Sequence, residues 1–263
     1  MTALFALPIL ILLILFAGPA LFSSLLGLVL FLALLEFNRM GLGTQRRTDQ
    51  FLSALCGVGL LFALHQQRFD LFLFLLTASL LLLSLKILFS PPQTDLKQTI
   101  PQLGWLGLGL LYLPLLLGHL ILLRQLPDGK EWIFMCLLAV MTCDSFALFA
   151  GMKFGKRKLY PTVSPNKTVE GALGGLLGAV VAVLLVKVTF LSYLGYGEGV
   201  LLGLLLGCGG QVGDLFESLL KRACEVKDSG TLIPGHGGLL DRLDSLLFAF
   251  PVSYYAARYW IGS

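Results

Sequence analysis

A chain of 263 residues that is 57% hydrophobic and 13% charged, with a mean hydropathy of +0.87, carries more apolar surface than a soluble monomer can cover, which excludes an ordinary globular domain in water. The formal net charge of +4 is too small to point to a nucleic-acid partner, and its distribution matters more than its total. Cys56, Cys136, Cys143, Cys208 and Cys224 are scattered, with no C-x-x-C and no His at ligand spacing, so they read as packing residues rather than a disulfide or zinc framework.

A helix needs about 20 apolar residues to cross a ~30 Å hydrocarbon core, and such stretches recur along almost the whole sequence. In chain order they cover residues 3–17, 20–37, 51–65, 70–89, 104–123, 131–151, 170–191, 198–219 and 239–260. The expected architecture is therefore an all-α, polytopic membrane protein of about nine transmembrane helices, or eight if the break at Gly18–Ala20 is a kink. The opening "MTALFALPILILLILFAG" lacks the basic start of a signal peptide and reads as a retained first span. His65 and His119 fall at span ends, where a single His reads as an interfacial polar residue.

Sidedness follows from the loops. One alternating set holds Arg39, Arg46, Arg47, Lys97, Lys153, Lys156, Arg157, Lys158, Lys167, Lys221, Arg222 and Lys227; the other holds Arg68, Arg124 and Lys130. Twelve basic residues against three place the first set in the cytoplasm, with the N-terminus inside. The first 90 residues carry no ionisable group deep in a span and read as a membrane anchor or packing partner, leaving residues 91–263 as the catalytic part.

In that later part Asp144, Glu170, Asp214, Glu217, Asp241, Arg242 and Asp244 all fall near the cytoplasmic ends of spans six to nine, where they can share one site. Gly207, Gly210, Gln211, Asp214, Glu217, Ser218 and Lys221 follow helical spacing along one face of the eighth span. Small residues alone would mean tight helix packing, but they do not account for the Gln, Asp and Glu. Asp241 and Asp244 lie one turn apart at the start of the ninth span, and carboxylates without Cys or His ligands suit a hard cation such as Mg²⁺. Between the two spans, Lys221, Arg222 and Lys227 precede the glycine-rich "GTLIPGHGG", whose backbone can approach anionic oxygens closely. A second polar segment, "CDSFALFAGMKFGKRKLYPTVSPNKTVEG", sets Lys167 and Thr168 directly before a helix whose first turn carries Glu170; it lacks P-loop spacing. Carboxylates for a metal beside cations for phosphate equip a site for phosphoryl or nucleotidyl transfer.

The segment from Ser218 through Lys221, Arg222, Lys227, Asp228, His236, Gly237, Gly238, Asp241 and Arg242 to Asp244 resembles, without a gap, the signature of the CDP-diacylglycerol synthases, the phosphatidate cytidylyltransferases. The resemblance is strong over residues 143–245 and generic before them. It implies a homodimeric, multi-span, Mg²⁺-dependent enzyme of the bacterial cytoplasmic (inner) membrane with its site on the cytoplasmic side. The enzyme would join CTP to phosphatidate, using Mg²⁺ alone or with a second cation, and would bind no nucleic acid. On this resemblance Asp144, Asp214, Asp241 and Asp244 hold metal. Lys221, Arg222 and Lys227 hold phosphates, with Asp228, His236 and Arg242 completing the catalytic set. Ser164, Lys167, Thr168, Glu170, Ser218, Gly237 and Gly238 contact substrate, and His236 serves as a structural or phosphate hydrogen-bond donor rather than a base. Two rivals share features of this pattern. An ion-coupled transporter predicts ionisable groups through the membrane depth, whereas here they stop at one leaflet. A CTP-dependent kinase of a polyprenol-type alcohol could use the same residues, and the long match from HGG to DRLD argues against it.

Overall fold

The computed structural model describes residues 13–14, 16–90, 96–232 and 237–261. The expected first span lies almost wholly outside the described residues, as does His236. Helices dominate: α1 (Pro19–Leu42), α2 (Arg47–His65), α3 (Phe69–Leu88), α4 (Thr99–Arg124), α5 (Gly129–Phe154), α6 (Val169–Thr189), α7 (Tyr196–Ala223) and α8 (Asp244–Tyr255), the last continued by a π-helical turn, Ala256–Ile261. Seven of them are long and apolar enough to cross a membrane among the described residues. The protein is an all-α polytopic membrane protein; α8, with 12 residues, is not among those seven. It begins at Asp244 rather than near residue 239 because Leu240–Arg242 form a separate 3-10 turn.

The sequence periodicity is silent about one element. Lys158–Tyr160 (β1) and Ser164–Thr168 (β2) form an antiparallel hairpin with Lys158 opposite Thr168 and Tyr160 opposite Ser164. Both strands are short, and the buried Val163 in their turn is the hydrophobic anchor.

The chain forms two compact units that do not divide at residue 90. One comprises Met1–Pro19, Leu122–Ala223 and Leu243–Ser263; the other comprises Ala20–Ile121 and Cys224–Arg242. In the second, Leu60, Leu64, Phe72, Leu83, Leu106 and Leu110 of α2, α3 and α4 form the apolar core. Trp105 stacks on Phe37 with ring centroids 4.5 Å apart and donates from Nε1 to the Phe37 carbonyl at 2.9 Å. Asp49, in the first turn of α2, accepts from Arg46 at 3.0 Å and pairs with Lys86 of α3.

In the first unit small residues set the helix spacing. A Cβ on Gly178 of α6 would stand 2.7 Å from the Phe146 ring and 2.9 Å from the Thr142 carbonyl oxygen, so α6 lies against α5 with no room for a side chain. Where water does not drive helices together, such close backbone approach is what holds them. The outward faces are apolar: Leu173, Leu177, Leu185 and Val188 of α6 are all exposed, as lipid contact requires.

Overpacking a close helix contact costs about 1–3 kcal/mol. Gly178→Leu should therefore lower the melting temperature of the detergent-solubilised protein. Gly197→Leu, at a position with nothing within 4 Å, should leave it unchanged; equal melting curves for the two variants would contradict the packing account.

Candidate active site

Three carboxylates gather where α5, α7 and α8 come together. Asp144 lies on the exposed face of α5, while Asp214 of α7 and Asp244 at the first turn of α8 are half-buried. Each is near enough to the other two for their charges to repel. The sequence phase that places Asp214 on the small, polar face of α7 explains the approach: a Cβ on Gly213 would run into the Asp244 carbonyl oxygen, so only glycine lets α8 start this close. Ser245, buried on α8, hydrogen-bonds the Asp144 carboxylate, and Asp244 accepts from the Ser245 N–H at 2.7 Å. An acid in a first helical turn is also favoured by the helix dipole.

Ammonium groups offset these charges. Lys167, from β2, stands 2.6 Å from Asp214 Oδ2, and its charge also attracts Asp144. Lys221 reaches back one turn along α7 to Glu217, fully buried, at 3.2 Å, and attracts Asp244. Ser218 donates to Asp214 Oδ1 at 3.4 Å. Gln211 of α7 ties α5 and α6 to its own helix, donating to the Ala172 carbonyl of α6 at 2.9 Å and to Cys143 Sγ of α5 at 3.4 Å. Two lysines that the sequence suggests for phosphate thus face carboxylates, the expected outcome where charge is poorly solvated.

The hairpin corner that delivers Lys167 is held by its neighbours. Thr168 caps α6, its Oγ1 accepting from the Gly171 N–H at 3.1 Å. Glu170 Oε2 accepts the N–H groups of Lys156 at 3.0 Å and Arg157 at 3.2 Å. Both residues therefore shape the corner from within it. Ser164 opens β2, opposite Tyr160.

The motif loop, residues 224–242, belongs to the other unit. Asp241 Oδ2 accepts from the Ser229 N–H at 3.0 Å, the Ser229 hydroxyl at 3.0 Å and the Gly238 N–H at 2.7 Å. Gly237 has φ +85, in the left-handed region where glycine is favoured. Glu36 of α1 completes the arrangement, its Oε2 accepting from the Leu240 N–H at 2.9 Å and from the Ser229 hydroxyl at 3.4 Å. A Cβ on Gly238 would stand 2.6 Å from that same oxygen. Lys227, Asp228 and Arg242 are exposed; Arg222, at the last turn of α7 in the first unit, is exposed as well. Glu36 is a contributor that the sequence reading passes over. Its signal was a carboxylate inside the apolar run "LFLALLEF", an expensive position without partners.

The donors around Asp144, Asp214 and Asp244 are oxygens only, the chemistry of a hard divalent cation. Among the described residues no three carboxylates converge on a single coordination point, and Lys167 supplies the positive charge at Asp214. The donor chemistry fits Mg²⁺.

The sequence matches the cytidylyltransferase family across residues 1–260. The chain belongs to that family. It is 42% identical over 158 residues to the phosphatidate cytidylyltransferase of Bacillus subtilis (strain 168), covering 60% of this chain and 59% of the relative. Against the uncharacterized protein YnbB of Escherichia coli (strain K12) it is 38% identical over 198 residues, 73% of this chain and 65% of that one. Against the phosphatidate cytidylyltransferase of Staphylococcus aureus (strain COL) it is 41% identical over 140 residues, 52% of each. The chain thus spans between half and two thirds of the length of these curated relatives. Within this cytidylyltransferase-family chain, the carboxylate–lysine cluster is the candidate chemical centre.

Removing the Glu36 carboxylate strips an acceptor from Leu240 and Ser229, and a bond to a charged group contributes about 1.5–3 kcal/mol. In Glu36→Ala, amide hydrogen exchange should accelerate roughly 10- to 100-fold over residues 229–240, while the helices keep wild-type protection. Unchanged exchange in the loop would show that Glu36 does not hold it.

Proposed function

We propose that this chain transfers the cytidylyl group of CTP to phosphatidate, giving CDP-diacylglycerol and pyrophosphate. The observation that carries the reading is the gathering of Asp144, Asp214 and Asp244 with Lys167 and Lys221 at one end of three apolar helices, in a member of the cytidylyltransferase family. The names of the Bacillus subtilis and Staphylococcus aureus relatives support the choice of acceptor.

In this reaction a phosphatidate oxygen forms a bond to the α-phosphorus of CTP. The bond from that phosphorus to the oxygen bridging to the β-phosphorus breaks, and pyrophosphate leaves with the electron pair. The attacking oxygen is already ionised at neutral pH, so no general base is needed. The obstacle is bringing two anions together, and the site answers it with charge. Mg²⁺, when bound, would neutralise phosphate oxygens, with one or two of Asp144, Asp214 and Asp244 as its carboxylate donors and substrate phosphates supplying others. Lys167 and Lys221 stand against the carboxylates and can turn to phosphate oxygens as negative charge arrives. Arg222 and Lys227 add cations on the exposed chain that follows. Asp241 keeps the loop ordered through Ser229 and Gly238, and Glu36 fixes the same loop to α1. The basic loops support a cytoplasm-facing site in the bacterial inner membrane, and the family resemblance supports a homodimer.

Label at the α-phosphate of CTP should enter the lipid fraction when phosphatidate is the acceptor, and label at the γ-phosphate should appear only in pyrophosphate. Entry of γ-label into lipid would replace this reading with a lipid kinase, since a kinase moves the γ-phosphoryl and releases CDP.

Asp214→Asn and Asp244→Asn preserve shape but remove charge. Each should reduce turnover by at least about 100-fold with the melting temperature retained, and chelation should stop the wild-type enzyme until Mg²⁺ is restored. Near-normal turnover of either variant at limiting Mg²⁺ would remove that carboxylate from the centre.

A further inference from the structure

The second unit contains a cleft of about 1120 Å³ between the α1–α2 corner and the first part of the motif loop. Its lining has two characters. Leu35, Met40 and Phe51 make an apolar wall, and Arg39, Arg47 and Lys227 bring three cations to the rim. The neighbouring cations Arg46 and Lys86 already share a carboxylate partner, Asp49. Arg39, Arg47 and Lys227 differ: among the described residues none of them has an ion pair. The corner that spaces the arginines is fixed, because Gly43 takes a left-handed φ of +66 and its carbonyl accepts from the Gln50 side chain. Two acids also line the cleft, Glu36 and Asp228. Glu36 is turned to the loop, where it accepts from Leu240 and Ser229, and the exposed Asp228 offsets one of the three cations at most, so the rim keeps positive charge for an anion.

Unpaired guanidinium and ammonium groups beside an apolar wall, in a unit of membrane-length helices, match an amphiphile with a phosphate head. Phe51 could stack a nucleobase, but Leu35 and Met40 extend the wall in a way that suits an acyl chain. We infer that this cleft is a docking site that takes up the phosphate monoester head of the lipid substrate before it reacts elsewhere in the chain, with Arg39 and Arg47 holding the phosphate alongside Lys227 and the apolar wall taking the adjoining acyl chain. The inference rests on the cytidylyl-transfer reading for the identity of the lipid. It makes the first helices part of substrate recognition rather than only an anchor.

The test uses the full chain purified in a neutral detergent, with dioctanoyl phosphatidate, dioctanoyl phosphatidylglycerol and CTP titrated separately. Two interfacial cation contacts at roughly fivefold each predict about 25-fold weaker phosphatidate binding in the Arg39→Ala/Arg47→Ala double variant. CTP binding should stay at the wild-type level, and the phosphodiester lipid should lose less than the monoester. In turnover assays the KM for phosphatidate should rise while kcat and the KM for CTP hold. Arg39→Lys/Arg47→Lys, which keeps both charges, should recover most of the affinity and guards against a folding artefact. Unchanged phosphatidate binding in the alanine variant overturns the site. A parallel loss of CTP binding overturns it in favour of a nucleotide site, and an equal loss for phosphatidylglycerol reduces it to general surface charge. If the wild-type chain itself binds no phosphatidate, both the site and the proposed reaction fall; if it does and the variant matches it, only the site falls.

Discussion

Ionised side chains in a protein made of apolar helices must be compensated locally, because neither lipid nor helix interior solvates them. That constraint shapes nearly every irregular feature of this chain. Asp241 draws three donors onto one oxygen and so folds the motif loop around itself. Glu36 draws the same loop to α1. Asp49 joins α2 to α3 through Lys86, Glu217 folds Lys221 back along α7, and Asp214 holds the hairpin through Lys167. In each case the polar side chain decides where the backbone goes, whereas the apolar residues decide only that it is helical. A buried pair such as Glu217–Lys221 adds little net stability over an apolar replacement, but breaking it by removing a partner costs about 3–5 kcal/mol; the partly exposed Lys167–Asp214 pair contributes far less. They are better understood as devices that specify position.

The helices could not bring these groups together without small residues. Gly213 admits the start of α8 and Gly178 admits α5, so the acids on α5, α7 and α8 meet because the backbones lie nearly in contact. Glycine has a cost in helix propensity of about 1 kcal/mol relative to alanine. Its presence at the contacts fits packing, not flexibility. The same helix, α7, carries both the packing glycines and the polar Gln211 and Asp214, which ties assembly of the bundle to assembly of the candidate site.

Much of this was legible in the sequence, and the reasons for what was not are specific. Apolar length gave the helices, and leaflet position with helical phase grouped Asp144, Asp214, Asp241 and Asp244; the first, second and fourth lie near one another, while Asp241 accepts from Ser229 and Gly238. Phase could not reveal the β1–β2 hairpin, because strands of 3 and 5 residues are too short to show alternation against background. It placed the start of the last helix too early, because "LLDRLDS" is apolar enough to be helical while the hydrogen bonds of Asp241 hold Leu240–Arg242 in a separate turn. It assigned Lys167 and Lys221 to phosphate and could not show that Lys167 pairs with Asp214 of another element and Lys221 with Glu217 one turn back. Glu36 was missed because its partners lie in a loop that no local pattern connects to it.

That separation has a consequence for how the molecule is made. Glu36 precedes Ser229 by 193 residues and Leu240 by 204. At about 5–20 residues per second a ribosome takes roughly 10 to 40 s to cover that distance. For this interval the nascent first helices hold an acid whose partners do not yet exist. Water, a proton or a membrane-insertion factor must accommodate it until the loop is synthesised. A late-made contact of the motif loop thus closes an early helix, so a chain stalled before the loop would be marked by an uncompensated Glu36 carboxylate.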